Sequence, residues 1–316
     1  MKPSTSDADF IQLVETLGPL KTAERLGIAL RNVHARRVRL EQVVGRQIVV
    51  PPLPNTAGTR VGAAHPGRVH IEVQNGVVLV GSDAHFWPGK PSTAWRAFLK
   101  FIKEEKPKAV IKNGDALDAA SISRHPPISW EKSPTVIQEI EITQERLGEV
   151  EKCAPRGCPL IWTMGNHDAR FETRLATLVP EYARVHGFHL KDHFPAWTPA
   201  WSVFINNDVA VKHRYKGGMH APQNNTLWGG THFVTGHLHS AKVQPITDYN
   251  GTRYGVDTGC LADCFGPQFE YAEDNPRNWR SGFGVLTFIG GKLLFPELVT
   301  VWDENHVQFR GKLIRV

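Results

Sequence analysis

The sequence predicts an α/β sandwich of two sheets flanked by helices, preceded by a small all-α domain. Short apolar runs between residues 77 and 260 are bounded by glycine, as in buried strands, and they alternate with helical patterns. A Pro- and Gly-rich stretch at 51–67 has the composition of a linker. We therefore divide the chain into a helical domain at 1–50, a linker at 51–67 and a larger domain at 68–316.

The N-terminal domain is predicted to hold three short helices, at 10–17, 19–26 and 30–44. Gly27 supplies a tight turn before the last helix, and helix–turn–helix is a DNA-binding pattern. The residues that would pack the two helices together are Ala23, Leu26, Ile28 and Val33. Arg36 occupies a place that the motif usually fills with an aliphatic residue, so the stem of Arg37 or Leu40 could close that contact instead.

The last of these helices is basic, which makes DNA its expected partner. Residues 1–50 carry eight Lys or Arg and five Asp or Glu. Their net charge, 8 − 5 = +3, is half of the chain's net charge of +6. Such a helix can neutralise phosphates and reach base edges in the major groove. The candidate contacts are Arg31, Asn32, Arg36, Arg37 and Arg39. The alternative is a solvated helix of a packing or dimerisation domain.

The larger domain is expected to begin with a hairpin at 69–80, turning at Asn75-Gly76. Four further apolar runs, at 109–111, 160–163, 209–211 and 232–235, are predicted strands. Helices are predicted at 95–102 and 134–152. Later turns at Asn206-Asn207, Asn250-Gly251 and Gly290-Gly291 make the C-terminal third rich in strands, which we expect to form the second sheet.

Polar motifs follow the strands of this domain in a fixed order. They are Asp83-Ala84-His85, Gly114-Asp115-Ala116-Leu117-Asp118, Gly165-Asn166-His167-Asp168, a lone His213, and Gly236-His237-Leu238-His239. Each motif alone is a weak signal, but the five together are specific. Because strand ends meet at one edge of a sheet, we expect these side chains to converge there.

Carboxylate, imidazole and amide side chains in one place are ligands for divalent metals. Two such ions about 3.5–4 Å apart can share a water, lower its pKa and clamp the oxygens of a phosphate ester. A histidine-rich set suits manganese, iron or zinc better than magnesium. We expect two divalent ions, with manganese favoured.

These motifs resemble those of the calcineurin-like metallophosphoesterase superfamily over about residues 77–260. The resemblance implies that Asp83, His85 and His239 bind one metal and that Asp115 bridges both. The second metal would be bound by Asn166, His213 and His237. His167 would assist the leaving group after a metal-bridging hydroxide attacks phosphorus, with Asp118 orienting that histidine. The small helix–turn–helix domain ahead of such a unit also resembles chains of phages and prophages.

Departures from the family pattern bear on the substrate. Ala119 and Asp168 stand where the phosphoprotein phosphatases of the family carry Arg and Glu, which disfavours that branch. Arg214 is the preferred substrate-binding cation, ahead of Arg124, Arg170, Arg174 and Lys216. Asp168 is expected either to support the loop or to cap the following helix.

Several other residues have two open interpretations. His220 is a rival to His213, while His186, His189 and His193 are expected to be solvated. Residues 119–135 and 179–200 could each form a lid, and the aromatic residues of the second could be core or cleft: Phe194, Trp197 and Trp201. Trp279 is expected to plug the sandwich edge or to stack on bases.

Composition indicates a cytoplasmic enzyme. No apolar run approaches a membrane span, and no signal-peptide pattern is seen. The four cysteines are expected to be free thiols. A DNA phosphodiesterase or nuclease is our first hypothesis, a phosphomonoesterase or nucleotide hydrolase the second, and a DNA-binding regulator with an inactive metal site the third. Oligomeric state is left open.

Overall fold

The structure, a computed structural model, describes residues 5–48, 65–125 and 133–316. Contacts divide the chain into two compact units, residues 1–65 and 66–316. Most of the predicted linker, residues 51–64, lies outside the described residues, as do 126–132 of the first predicted lid.

The N-terminal unit contains two helices, α1 (Asp7–Leu26) and α2 (Leu30–Val44). Two helices were predicted where α1 runs as one element, but its backbone breaks at Gly18, with φ 78° and ψ 165°, just before Pro19. Gly27 forms the predicted turn in the left-handed conformation that glycine tolerates best. The core of the unit consists of Phe10, Val14, Ala23, Val33, Leu40 and Ile48.

Arg36 lies where an aliphatic residue was expected, and its guanidinium covers this small core. The carbon of that group is 4.4 Å from the centre of the Phe10 ring. Leu40 supplies the buried aliphatic contact one turn later, whereas Ile28, which was predicted to pack, is exposed. A stacked guanidinium can thus replace a hydrocarbon side chain at this position.

The second unit is a sandwich of two sheets. The smaller sheet has the order β1-β6-β7-β8-β10-β9, and the larger β15-β14-β13-β11-β2-β3-β4-β5, with β12 beside β11. The strands of the smaller sheet are β1 (Arg68–Ile71), β6 (Ser202–Ile205), β7 (Val209–Val211), β8 (His232–Thr235), β9 (Lys242–Asp248) and β10 (Gly251–Asp257). Those of the larger sheet are β2 (Gly76–Gly81), β3 (Ala109–Asn113), β4 (Leu160–Thr163), β5 (Thr198–Ala200), β11 (Gly282–Ile289), β12 (Lys292–Leu293), β13 (Glu297–Asp303), β14 (His306–Phe309) and β15 (Lys312–Arg315).

Alternating side chains of β2 join the two cores of the sandwich. Val78 and Val80 face the smaller sheet, while Leu79 packs with the helices on the other side. The helices are α3 (Thr93–Glu105), α4 (Val136–Cys153), α5 (Asp168–Leu178) and α6 (Ala221–Gly229). The two predicted helices correspond to α3 and α4, and α3 buries Trp95, Phe98 and Ile102 as its spacing indicated.

The predicted N-terminal hairpin is wrong. β1 pairs in parallel with β6, whereas β2 pairs with β3 on one side and β11 on the other, in the opposite sheet. Both edges of β2 are therefore occupied, and the turn at Asn75-Gly76 carries the chain from one sheet to the other. The Asn75 side chain accepts a hydrogen bond from the Gly290 N–H, which ties this turn to the end of β11.

The expected role of the C-terminal strands is also wrong. β11 to β15 extend the sheet that contains β2, β3 and β4, and the smaller sheet is built from β1 and β6 to β10. The hairpins predicted at Asn206-Asn207, Asn250-Gly251 and Gly290-Gly291 are present, as β6–β7, β9–β10 and β11–β12. None of the described helices is both long and apolar enough to cross a membrane.

Candidate metal centre

The five polar motifs lie on loops that follow five strands. Asp83, Asp115 and Asn166 follow β2, β3 and β4 of the larger sheet, and His213 and His237 follow β7 and β8 of the smaller one. The expectation of a single sheet edge is therefore wrong, because the loops meet across the end of the sandwich. Two sheets supply donors from opposite sides, which a single edge could not do.

The potential metal-binding atoms form overlapping groups. Those of Asp83, His85 and His239 lie within 4.8 Å of one another, and so do those of Asp115, His213 and His237. The side chains of the first group are buried, and only His237 in the second is partly exposed. These groups contain the residues that the resemblance implied, except Asn166, and Asp115 is also in a further group beside His85 and His167.

Hydrogen bonds fix the orientation of two imidazoles. His213 Nδ1 lies 2.8 Å from the carbonyl oxygen of Asn113, which can only accept, so this nitrogen carries the hydrogen. His85 Nδ1 lies 2.9 Å from the Asp118 carboxylate and donates in the same way. Both rings therefore turn Nε2, the nitrogen with the free lone pair, toward the neighbouring carboxylates. Such outer hydrogen bonds are typical of histidines that bind metals.

Buried atoms without hydrogen-bond partners test whether a metal fits. Among the described residues, His85 Nε2 and Asn166 Oδ1 are buried and accept no hydrogen bond. A buried acceptor left alone is costly, and a bound cation would satisfy both. The nitrogen and oxygen donors suit a borderline divalent ion. The residues therefore fit the divalent metal ions that the resemblance implies. When bound, such ions would lower the pKa of a water and neutralise charge on a phosphate.

Charges in the centre shift the pKa values of its side chains. Burial alone would raise the pKa of Asp83, but the imidazoles of His239 and His213 outweigh it and lower the pKa to about 2. Burial would lower the pKa of His213, but the charges of Asp115 and Asp83 raise it to about 9. His213 Nε2 is 3.0 Å from Asp115 Oδ2. Both carboxylates are thus ionised and lie beside imidazoles.

Backbone geometry brings these side chains close together. A side chain at Gly114 would overlap the His213 ring, and one at Gly165 would overlap the Asp115 carboxylate. Five of the seven candidate ligands also adopt positive φ, a region that disfavours residues with a side chain. They are Asp83 (53°), His85 (39°), Asp115 (48°), His237 (70°) and His239 (56°).

Asp168 supports the two loops of the larger sheet. Its carboxylate accepts backbone N–H groups of Asp115 at 2.8 Å, Ala116 at 2.8 Å and Gly165 at 2.9 Å, besides the indole N–H of Trp162 at 3.0 Å. Of the two interpretations left open, support of the loop is therefore the one observed. The side chain points back beneath the loops because it begins α5 inside the sandwich, and His167 holds the cap position.

His167 lies beside the two groups with Asp118 and Arg170. Its Nδ1 donates to the Asp118 backbone oxygen at 2.7 Å and lies 3.2 Å from the Asp118 carboxylate. Burial lowers the pKa of His167, but the hydrogen bond and charge of Asp118 together with the charge of Asp115 raise it overall. Nε2 accepts a hydrogen bond from Arg170 in this structure, so it could donate a proton to a leaving-group oxygen once His167 is protonated and that contact is released.

Arg170 contacts the His167–Asp118 pair, although Arg214 was the preferred substrate-binding cation. One of its nitrogens is 3.0 Å from the Asp118 backbone oxygen, and another is 3.3 Å from His167 Nε2. Its cation therefore lies where charge would develop on a leaving group. The signal was available, since Arg170 follows His167 by three residues at the start of a helix and so shares its face.

Glu139 of α4 is a second residue that the sequence did not single out. It is fully buried, and its carboxylate accepts the backbone N–H of Ala119, the residue after Asp118. Burial, with a contribution from the charge of Asp118, raises the pKa of Glu139 to about 7. Ala119 has φ 53°, so this bond holds a strained turn next to the residue that orients His167.

An aromatic wall borders the first metal group. We use this name for Phe269, Tyr271 and Trp279. The Trp279 ring centre is 4.6 Å from that of His239, and Phe269 is 5.1 Å from His85. Phe269 is buried, whereas half of Tyr271 is exposed. Trp279 therefore packs on a candidate ligand and does not plug the sandwich core, which corrects one of its two interpretations.

The other side of the centre carries cations. Arg214 follows His213 directly and is exposed. Burial is the largest cause of the lowered pKa of His237, and Arg214 is close enough to add to that effect. Among the described residues, Arg214 and Lys216 have no carboxylate within 4.0 Å.

The remaining candidate residues lie away from the groups. His220 is exposed at the start of α6, while His189 and His193 bond to backbone oxygens of their own loop. Phe194 and Trp197 of the second predicted lid are buried in the core, whereas Trp201, the residue just after it, is exposed. All four cysteines are free, as predicted.

The α2 residues predicted to bind DNA fall into two classes. Arg31 and Asn32 are exposed. The other three are near acids of their own unit: Arg36 is 2.6 Å and Arg39 3.8 Å from Asp7, and Arg37 is 3.3 Å from Glu41.

A two-sheet sandwich with two adjoining groups of carboxylate and imidazole donors is the arrangement of a metal-dependent hydrolase. The sequence model described as calcineurin-like phosphoesterase matches residues 76–257. The chain belongs to this family and is a metal-dependent phosphoesterase.

Relatives and solved structures extend the comparison. The chain is 28% identical over 230 residues to the Gene 54 protein of Mycobacterium phage D29, covering 65% of this chain and 86% of that protein. It is 26% identical over 233 residues to the Gene 54 protein of Mycobacterium phage L5, with the same coverage. Among solved structures, Vps29 of Entamoeba histolytica complexed with zinc is 15% identical, with a TM-score of 0.41 over 76% of this chain and 98% of the other. A novel archaeal phosphodiesterase is 15% identical, with a TM-score of 0.39 over 71% and 99%.

Proposed function

We propose that this phosphoesterase hydrolyses phosphodiesters of DNA, with two manganese ions as its preferred metals. The observation that carries the proposal is the aromatic wall, because it places flat apolar rings against His85 and His239. A diester has a substituent on each side of phosphorus, and a nucleobase on one side could stack on Tyr271 or Trp279, the members of the wall that are not buried. A small phosphate monoester would leave such a wall unused.

Charge at the centre bears on the leaving group. Arg170 is the cation in contact with the His167–Asp118 pair. A diester carries one negative charge and a monoester up to two, so the monoester needs more positive charge around its free oxygens. His167 would protonate the leaving oxygen, and Arg170 would stabilise the charge on that oxygen until the proton arrives.

The N-terminal unit would deliver the enzyme to duplex DNA. Its exposed Arg31 and Asn32 lie near the start of α2, where the recognition helix of a helix–turn–helix contacts base edges. This role is part of the proposal and is separate from the hydrolytic site.

A phosphomonoesterase or nucleotide hydrolase is the second candidate, and Arg170 is the observation that favours it. Its guanidinium could bind two oxygens of a terminal phosphate. In that case the N-terminal unit would serve packing or dimerisation.

The test compares substrates on the full chain with manganese. End-labelled single- and double-stranded DNA would be incubated beside p-nitrophenyl phosphate and bis-p-nitrophenyl phosphate at matched concentration. We expect cleavage of DNA and of the small diester, with little turnover of the monoester. Turnover of the monoester with intact DNA would replace the proposal with the second candidate. Asp115→Asn serves as the inactive control, and Asp274→Asn, at an exposed carboxylate, as its matched control.

A further inference from the structure

The surface that follows His213 combines exposed aromatic rings with cations. We call Arg214, Tyr215, Lys216 and Trp228 the basic aromatic surface. Trp228, near the end of α6, is 71% exposed and Tyr215 is 45% exposed. Single exposed aromatic residues are common on protein surfaces, but two of them grouped with two cations form a patch of the kind that binds ligands.

The basic aromatic surface is held in place by its own contacts. The Lys216 amino group lies 5.1 Å from the centre of the Tyr215 ring and 4.8 Å from that of Trp228. Tyr215 stacks on Phe233 of β8, with ring centres 5.5 Å apart and planes inclined by 19°. The Lys216 N–H donates to the Asn225 side chain at 2.7 Å. An ordered platform loses less entropy on binding than mobile side chains would.

Charge indicates what the surface binds. Residues 209–247 contain four Lys or Arg and no Asp or Glu, in a chain where acids are 31 of 316 residues. Within the part of the chain that the structure describes, no carboxylate pairs with Arg214 or Lys216. Arg214 and Lys216 can therefore bind an anion, and the rings of Tyr215 and Trp228 add an apolar contact.

Continuity with the metal centre relates this surface to the substrate. His213 is buried in the second group of candidate ligands, and the next three residues are exposed. A phosphodiester chain whose scissile phosphate lies at the centre would pass over Arg214 and Lys216 with its neighbouring phosphates. The bases of that chain would then come within reach of Tyr215 and Trp228.

We propose that the basic aromatic surface binds the single-stranded part of a nucleic acid whose phosphodiester is cleaved at the metal centre. The inference rests on the proposed function and specifies the form of its substrate. Aromatic rings stack on the faces of bases, and only a single strand exposes those faces, since duplex bases are stacked on one another. Duplex DNA offers base edges and phosphates, and its bases present no free face on which the Trp228 ring could stack.

The test measures binding and cleavage separately on the full chain. Binding of a labelled single-stranded oligothymidylate would be followed by fluorescence anisotropy with a chelator present, so that nothing is cleaved. Trp228→Ala should raise the Kd about 5-fold or more, because stacking contributes about 1–3 kcal/mol per base. Trp228→Phe should restore most of the affinity, since phenylalanine keeps a stacking face. Lys216→Gln should reduce the salt dependence of binding by about one phosphate contact.

Trp302→Ala is the matched control, because this tryptophan is 63% exposed on β13 beside Asp303 and Glu304. We expect it to leave the Kd unchanged. Trp302→Ala should also leave turnover of bis-p-nitrophenyl phosphate unchanged, because Trp302 belongs neither to the metal groups nor to the basic aromatic surface.

The outcomes separate this inference from the function on which it rests. If Trp228→Ala binds the single strand as the unaltered chain does, the surface has another role, even where DNA is cleaved. An equal loss of affinity for duplex and single strand would also overturn the preference for single strands. If the single strand binds through Trp228 but no nucleic acid is cut with manganese, the surface stands and the nuclease proposal fails.

Discussion

The N-terminal unit and the metal centre arrange their charges in opposite ways. Arg36 and Asp7 pair at 2.6 Å on the surface, so most of the charge on this face of α2 is balanced within the unit. At the metal centre, Asp83 and Asp115 are buried with imidazoles, and buried acceptors such as His85 Nε2 have no partner. The first arrangement is complete as it stands, whereas the second is a set of donors that requires a cation. Buried donor atoms without partners therefore mark the functional site better than charged residues alone.

The sharpest test of this contrast removes one carboxylate from each unit. Asp115→Asn should reduce manganese-dependent turnover of bis-p-nitrophenyl phosphate by about 10³-fold or more, since losing even an outer partner of a metal ligand costs about 10- to 100-fold. Asp7→Asn should leave turnover unchanged and reduce stability by at most about 1 kcal/mol, because exposed ion pairs contribute little. Steady-state kinetics and urea unfolding measure both effects. Similar turnover in the two variants would refute the assignment of Asp115.

His167 tests whether the centre holds a proton donor as well as metal ligands. His167→Ala should slow hydrolysis of esters with poor leaving groups by about 10²-fold, the usual contribution of a general acid. Activated esters such as bis-p-nitrophenyl phosphate should lose less than about 10-fold, because their leaving groups need no proton. Metal content, measured by atomic absorption, should be unchanged. Equal losses for both kinds of ester would rule out proton donation.

The buried carboxyl group of Glu139 should make the free energy of unfolding depend on pH. Burial raises its pKa from 4.5 to about 7, so the folded state holds a proton that the unfolded state has already released. Stability contributed by this group is present below pH 4.5 and falls as the pH rises to about 7, by at most about 3 kcal/mol at 1.36 kcal/mol per unit. Glu139→Gln should remove this decline. Urea unfolding at pH 5 and pH 7.5 measures it, and parallel curves for both proteins would contradict the prediction.

The smallest expected effect distinguishes the arginines of α2. Arg31→Ala should weaken duplex DNA binding a few-fold and reduce its salt slope by about 1, since this exposed side chain is free to contact a phosphate. Arg36→Ala should change the slope little, because its guanidinium is already bonded to Asp7 and to the Thr5 oxygen. Binding curves at several salt concentrations measure the slopes. An equal change for both variants would mean that DNA displaces Asp7.

Local sequence predicted more of the centre than of the sheets around it. The run Leu160–Thr163 and the motif after it were recognisable because a strand and its loop are contiguous in the chain. The partner of β1 was not recognisable, since β6 lies more than 130 residues later and no local pattern encodes that pairing. For the same reason the prediction of a hairpin at Asn75-Gly76 was wrong, although these two residues are typical of a hairpin turn.

Residues that contact the motifs from elsewhere in the chain were also missed or left open. Glu139 reaches Ala119 from α4, and Trp279 reaches His239 from a loop forty residues later. Nothing in the spacing of either residue indicates its neighbour, because the contact depends on how the helix and the loop pack. Arg170 is the exception, since its helical spacing from His167 was visible.

The left-handed backbone of the candidate ligands has an evolutionary consequence. Each of those five residues holds a conformation that glycine or asparagine adopts with less strain, at a difference of about 1 kcal/mol per position. Random substitution at these sites can therefore favour folding and oppose catalysis at once. A descendant released from selection for hydrolysis could become more robust by losing its ligands.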